Sequence, residues 1–190
     1  MGEIMTAPSS DSVWIDGRRY DLCGVQGEGL FNPAIFDIDV ESPGTACWRG
    51  FTCAYEIRGH HLYLAELELW SDPTLWRRNR AKLADLFGDE AQIDGAHPLV
   101  DVTDMLFPIQ FTGGLLVGDD FISELYDGLG FQPAYAYREV QELTFESGLL
   151  LAQSDCSMAM LEVRLRQGMR GNSEPQNLSA WIYDSFGMDF

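Results

Sequence analysis

Tight turn signals placed between runs of strand length constrain the fold more than any other feature of this sequence. Asp16-Gly17 separates SVWI from RRYDL, Gly59 lies between the runs 47–57 and 62–69, and Ser147-Gly148 follows another such run. Short glycine-containing turns join antiparallel strands, because glycine adopts backbone angles that other residues avoid. Counting further apolar runs gives roughly nine strands, which predicts a mainly β (α+β) fold: one antiparallel domain built of hairpins.

Alternation of apolar and polar residues assigns two more segments to the sheet. Residues 34–41, AIFDIDVE, alternate cleanly and predict a strand with Asp37 and Asp39 on its outer face. Residues 109–122 predict two strands separated by a bend at Gly113-Gly114, with a turn at 118–120.

The C-terminal third contains one ambiguous segment. Residues 158–167 fit a strand by alternation and a helix by the spacing of Met158, Leu161 and Leu165. The regular placement of charged residues between the apolar ones favours the strand. Residues 178–186 are expected to form a short closing helix.

Residues 72–87 predict an amphipathic basic helix. Asp72 suits the N-cap and Pro73 suits the first helical position. Four basic residues follow on its solvent face: Arg77, Arg78, Arg80 and Lys82. No further base occurs before Arg138, whereas ten acids occur between Leu83 and Tyr137. The simplest interpretation is that the helix lies against acidic side chains of its own sheet.

The charge balance restricts the partners of the protein. Thirty acids against twelve bases give a formal net charge of -18. Such a surface repels phosphate backbones and therefore argues against nucleic-acid binding. It attracts basic proteins in a salt-sensitive manner. The candidate partner-binding residues are Asp94, Asp101, Asp104, Asp119 and Asp120.

Neither a membrane span nor a secretory signal is evident in the sequence. No run of about 18 apolar residues is present, which argues against a membrane-spanning helix. The N-terminus lacks the basic and apolar regions of a secretory signal. We therefore expect a cytoplasmic protein with a flexible leader over residues 1–11 and a single domain over residues 12–190.

Cys47, Cys53, His60 and His61 are the nearest approach to a metal-ligand set. Zinc-binding cysteines cluster at spacings of two to four residues, because both thiolates must reach one ion. Cysteines six apart on one strand stand about 20 Å from each other. The sequence thus predicts no metal site. The motifs of serine hydrolases, nucleotide-binding loops and zinc proteases are also absent, so we assign no catalytic residue and no cofactor.

Arg49 is the candidate ligand-binding residue, together with Trp48 and Tyr55. It shares the strand parity of Cys47 and Tyr55, which directs its guanidinium towards the apolar face. A buried arginine needs a carboxylate or a bound anion. Two alternatives stay open: an internal carboxylate with a structural role, or an anion-binding pocket.

The stretch TACWRGFTCAYEIRGHHLYLAEL resembles a signature of uncharacterised bacterial proteins, whose specific part is Cys47–Gly50. LFPIQFTGGLLV and YREVQELTFESGLL resemble the following strands of that group, so the resemblance covers about residues 12–155. It implies a β-rich single domain of bacterial origin. It implies no activity and no catalytic residue.

Three functions are compatible with these features. The first is a non-enzymatic binding module, of an immunity or antitoxin type, that engages a basic protein. The second is a small anionic-ligand-binding or hydrolytic domain with a pocket at Arg49. The third is a mimic of nucleic acid. A homodimer formed through exposed sheet edges is a further alternative.

Overall fold

A computed structural model describes residues 11–44, 47, 49–126 and 132–170, with side chains up to residue 166 in the last range. The described chain is mainly β, as predicted, and contains ten strands and two α-helices. The strands are β1 Ser12–Ile15, β2 Arg18–Glu28, β3 Phe51–Arg58, β4 His61–Trp70, β5 Gln92–Asp94, β6 Leu99–Thr103, β7 Phe107–Pro108, β8 Thr112–Phe121, β9 Tyr137–Glu146 and β10 Leu149–Asp155. The helices are α1 Trp76–Phe87 and α2 Ser157–Arg170.

All ten strands belong to one sheet that curls round on itself. The order is β10-β9-β8-β2-β1-β3-β4-β6-β5, with β7 paired to β4. The β1–β3 pairing is parallel and the others are antiparallel, which makes the sheet mixed. One register pair, Leu149 with His61, also joins β10 to β4. This contact brings the first and seventh strands of the order together.

The inner face of the curled sheet holds the main core. Tyr55, Phe111 and Phe145 are the largest side chains that are fully buried there. Leu83 of α1 is also fully buried in this cluster, so α1 closes one end of it. A second, smaller cluster lies under α2, where Met160 contributes a side chain only 2% exposed. Burial of such a side chain stabilises the fold by about 1.5–3 kcal/mol.

The three predicted hairpin turns are confirmed. β1 and β2 pair across Asp16-Gly17, and β3 and β4 pair across Gly59-His60. β9 and β10 pair across Ser147-Gly148. Both residues of each turn have positive φ, the backbone geometry whose twist matches that of the flanking strands.

The predicted strand over residues 34–41 is wrong. Pro33–Phe36 form a single 3-10 turn, which Asn32 caps by accepting the N–H of Ala34 at 3.0 Å. Asp37 then adopts φ 57, which turns the chain out of any extended path. The alternation arose because Ile38 reaches the core while the neighbouring carboxylates meet α1.

The predicted bend at Gly113-Gly114 and turn at 118–120 are also wrong, because β8 runs without interruption from Thr112 to Phe121. Gly113 lies directly opposite Gly27 of β2, and both have strongly positive φ. Here glycine allows two backbones to approach closely; it does not end a strand.

Residues 158–167 are helical, so the strand prediction for this segment is wrong. Asp155 caps α2 by accepting the N–H of Ser157 at 2.9 Å. Met160 packs on the sheet, whereas Met158, Leu161 and Leu165 are exposed. Apolar residues on both sides of the helix produced the misleading alternation. The predicted closing helix at 178–186 lies outside the described residues.

The basic helix is confirmed, but it begins at Trp76, three residues later than Pro73. The carboxylate of Asp72 accepts the N–H of Thr74 at 2.7 Å and so forms a separate turn before the helix. Inside α1, the fully buried Asn79 donates to Asp39 O at 2.6 Å and to Ser71 Oγ at 2.8 Å. The first bond joins the helix to the loop at Asp39, and the second joins it to Ser71, which directly follows β4.

The basic face of α1 meets acidic groups of the same chain, although they lie in a loop and not on a strand. Arg78 pairs with Asp37 at 2.8 Å and with Asp39 at 3.4 Å, and Lys82 also pairs with Asp37. Arg80 donates to the backbone oxygens of Ile93 and Asp94 at 2.5 and 2.9 Å. The free edge of β5 is therefore covered in part by Arg80.

Candidate functional site

Arg49 has an internal carboxylate partner. Its Nη2 lies 2.5 Å from Oδ1 of Asp11, and the same oxygen accepts the backbone N–H of Cys53 at 2.9 Å. The backbone oxygen of Asp11 accepts the N–H of Leu22 at 2.8 Å. Asp11 was expected to end a flexible leader, yet the residue is only 5% exposed. Residues 1–10 lie outside the described part.

The surroundings of this ion pair keep it charged and hold the guanidinium in place. The guanidinium of Arg49 lies over the ring of Phe51, 4.5 Å from its centroid. Burial alone would lower the pKa of Arg49, but the carboxylate of Asp11 outweighs it and the pKa is raised. About 35% of the Arg49 side chain stays exposed. An anionic ligand would need the positive charge of Arg49, but that charge already pairs with the carboxylate of Asp11.

The other two members of the predicted ligand site do not add to it. Tyr55 is 1% exposed and belongs to the main core. Burial raises its pKa well above the ordinary value, so the phenol stays neutral. Trp48 lies outside the described residues. The structure brings Arg49 together with Asp11 and Cys53, and sequence reasoning missed Asp11 because their separation of 38 residues leaves no local signal.

None of the four cysteines is an activated nucleophile. Cys23, Cys47 and Cys53 are buried and Cys156 is half-buried, and no disulfide joins them. Burial raises the pKa of every one of these thiols. A thiol attacks only as its thiolate, so a hydrolytic role for these residues has no support in the geometry.

Within the described ranges, no group of three or more His, Cys, Asp or Glu side chains is arranged to hold a metal ion. His60 and His61 lie at the exposed turn between β3 and β4. Nδ1 of His61 lies 3.2 Å from the backbone oxygen of Gly59, which is a local turn contact.

The predicted partner-binding acids fall into two separate places. Asp119 pairs with Arg18 at 2.6 Å and Asp120 pairs with Arg138 at 2.9 Å. Asp94, Asp101 and Asp104 lie instead on or beside β5 and β6, at the other end of the sheet order. The shorter path round the sheet from β8 to β6, through β9, β10 and β4, has four steps, which at about 4.8 Å per strand is roughly 19 Å.

Three carboxylates form a row across neighbouring strands. Asp94 lies opposite Asp101 in the β5–β6 ladder, and Asp101 lies opposite Glu68 in the β4–β6 ladder. Directly opposed side chains lie on one face with their Cβ atoms about 5 Å apart, so like charges there repel. Burial and then the charge of Asp101 raise the pKa of Glu68, while a hydrogen bond from Thr52 at 3.4 Å opposes this rise.

Two members of this row, Asp94 and Asp101, belong to a larger group of carboxylates, which we call the acidic edge. It comprises the carboxylates between residues 85 and 104: Asp85, Asp89, Glu90, Asp94, Asp101 and Asp104. None of the ion pairs among the described residues involves these six. Arg80 reaches the same region but donates to carbonyl oxygens. Sequence reasoning missed Asp85, Asp89 and Glu90, although the base-free stretch contains them.

A cleft of about 130 Å³ lies within the acidic edge. It is formed between the end of α1 and the segment that joins β6 to β7, and is lined by Phe87, Glu90, Ala91, Asp104, Met105, Leu106 and Phe107. We call it the Phe87–Phe107 cleft. The sequence predicted only Asp104 of this set, because the cleft depends on how α1 packs against β7.

Comparisons of this chain with protein-family models, with curated proteins and with solved structures find no match in any of the three. The resemblance carried by Cys47–Gly50 therefore stays a prediction. Among the helices of the described chain, none has the length and apolar character needed to cross a membrane.

Proposed function

We propose that this domain binds a basic protein through its acidic edge and catalyses no reaction. One observation carries the proposal: six carboxylates lie between residues 85 and 104, and none of them is matched by a cation of the described chain. Asp119 and Asp120, by contrast, form ion pairs with Arg18 and Arg138. A surface of this kind accelerates association with cationic partners and favours them over neutral ones.

The row of Glu68, Asp101 and Asp94 adds a physical reason for binding. Opposed like charges cost about 0.2–1 kcal/mol per pair in the isolated protein. A cationic side chain placed over the row would relieve this repulsion on association. The protein thus keeps a locally unfavourable arrangement that a basic partner would make favourable, as is common at functional sites.

The anion-binding hypothesis is weaker, because Asp11 already occupies the charged end of Arg49. The mimicry hypothesis differs from the main proposal only in the class of partner. It therefore becomes an outcome of the experiment: capture of a nucleic-acid-binding protein would identify the acidic edge as a mimic.

The proposal is tested by capture of partners from the native host at low and at moderate salt. Four acidic-edge residues are neutralised in one variant: Asp85→Asn, Asp89→Asn, Asp94→Asn and Asp101→Asn. The matched control neutralises four exposed acids elsewhere: Asp16→Asn, Glu28→Gln, Glu124→Gln and Glu146→Gln. Both variants carry the same net charge.

We expect one basic protein that is held at low salt and released as salt rises. The acidic-edge variant should lose it, while the control variant should retain most of the binding. Equal loss in both variants would show that only the overall charge matters. Absence of any basic partner at either salt would overturn the proposal.

A further inference from the structure

The floor of the Phe87–Phe107 cleft is aromatic. The rings of Phe87 and Phe107 meet edge to face, with centroids 5.4 Å apart. Phe107 also contacts Phe31 and Phe36, at 6.4 and 6.0 Å, so it is held from behind by packed rings. The floor is therefore rigid, and its two ring-bearing residues are only partly buried.

Two carboxylates flank this floor. Glu90 lies between α1 and β5, and Asp104 follows β6 with a positive φ of 52°. Both are exposed, and neither takes part in an ion pair within the described chain. Leu106 on the rim is 46% exposed, which extends the apolar part of the cleft.

We infer that the Phe87–Phe107 cleft receives an arginine side chain of the basic partner; this inference rests on the proposed function. A guanidinium is attracted to the face of an aromatic ring and forms planar hydrogen bonds with carboxylates. Its apolar stem would contact Leu106 and Met105. The cleft has a volume of about 130 Å³, which suits a single side chain and not a folded segment.

The described chain uses this combination twice, and one case is Arg18, which lies 5.1 Å from the ring centroid of Tyr20 and 2.6 Å from the carboxylate of Asp119. Arg49 places its guanidinium 4.5 Å from the ring centroid of Phe51 and 2.5 Å from the carboxylate of Asp11. The cleft offers the same two partners, ring and carboxylate, without an internal arginine. A hydrated divalent cation would gain nothing from the aromatic floor, which favours the organic cation.

The test uses N-acetyl-arginine amide as the probe, with N-acetyl-citrulline amide as its uncharged counterpart. Binding to the full chain is followed by NMR titration. We expect the arginine probe to shift the resonances of residues 87–91 and 104–107, and the citrulline probe to bind at least fivefold more weakly. Shifts spread over the whole acidic edge would overturn the inference.

Matched variants separate cleft contacts from general charge. Glu90→Gln with Asp104→Asn should weaken binding of the probe by about five- to tenfold. Asparagine tolerates the positive φ at position 104, so this variant should fold normally. Asp16→Asn with Glu146→Gln removes the same charge at exposed positions outside the acidic edge and should weaken the probe less than twofold. Equal weakening by both pairs would overturn the cleft inference.

The same variants show which proposal has failed. If the four-residue acidic-edge variant loses the captured partner but Glu90→Gln with Asp104→Asn retains it, the acidic edge binds the partner and the cleft has no special role. If both variants bind the partner as tightly as the unaltered protein, the proposed function fails as well.

Discussion

The carboxylate of Asp11 joins the start of the domain to its central strands, because one oxygen accepts both the guanidinium of Arg49 at 2.5 Å and the backbone N–H of Cys53 at 2.9 Å. Asp11 directly precedes β1, and Cys53 lies in β3, the parallel neighbour of β1. A parallel pair has no turn to fix its register, so a side chain that bonds across it helps to define the alignment.

Asp11→Ala should lower the free energy of unfolding by about 3 kcal/mol, because it leaves a partly buried guanidinium and a buried backbone N–H without their acceptor. Arg49→Ala should cost less, about 2 kcal/mol, since a third of that side chain is exposed to water. Urea denaturation measures both.

The double variant completes the test of this ion pair. If the two residues act together, the coupling energy should exceed about 1 kcal/mol. Additive effects would show that the ion pair contributes little. An Arg49→Ala variant of unchanged stability would contradict the structural role and make Arg49 a candidate ligand residue again.

Glu68→Gln should stabilise the protein at neutral pH. The folded-state pKa of Glu68 is raised above the ordinary 4.5 by burial and by Asp101, so ionisation of this group opposes folding. The stabilisation that comes from proton binding to Glu68 in the folded state is fully present at pH values below the unfolded-state pKa. It is lost as the pH rises through the folded-state pKa. We expect a gain of about 0.5 kcal/mol at pH 7, from removal of one opposed like-charge pair.

Below about pH 4 the same substitution should have little effect, because Glu68 is then protonated in both states. Thermal unfolding of the parent and the variant at pH 3.5 and pH 7 measures this. A gain in stability from Glu68→Gln that is larger at pH 3.5 than at pH 7 would contradict a raised pKa of Glu68 in the folded protein.

Gly113→Ala should destabilise the fold by at least about 2–3 kcal/mol. A Cβ atom at this position would lie 2.0 Å from the backbone oxygen of Gln26, so β2 and β8 would have to separate. Gly17→Ala is the control: it also has a positive φ, but its Cβ would meet no atom within 4 Å. It should cost only about 1–2 kcal/mol, the strain of the left-handed conformation.

Denaturant midpoints of the two glycine variants give the comparison directly. Equal losses of stability in Gly113→Ala and Gly17→Ala would mean that the close approach of β2 and β8 does not constrain residue 113 in solution.

Cys23 and Cys53 should resist alkylation until the protein unfolds, because both are buried and burial raises the pKa of their thiols. Cys156 is half-buried and should react first. Treatment with iodoacetamide at pH 8, followed by peptide mass spectrometry, should show at least about a hundredfold difference in rate. Rapid labelling of Cys53 in the folded protein would contradict the packing around Asp11.

The sequence determined the features that depend on neighbouring residues. Asp16-Gly17, Gly59 and Ser147-Gly148 predicted three hairpins correctly, because turn geometry is set within a few residues. The net charge of -18 and the base-free stretch after Lys82 are likewise properties of the sequence, and that stretch contains every carboxylate of the acidic edge.

The tertiary structure determined the element types and long-range contacts that the local sequence pattern does not specify. Alternation predicted strands at 34–41 and 158–167, but a strand needs a partner ladder, and a 3-10 turn and α2 form there. The carboxylate partner of Arg49 is Asp11, which is distant in sequence. The ion pairs of Asp119 with Arg18 and of Asp120 with Arg138 likewise form between different strands. Ion pairing, the acidic row and the Phe87–Phe107 cleft all depend on which strands become neighbours, and that follows from the packing of the whole core.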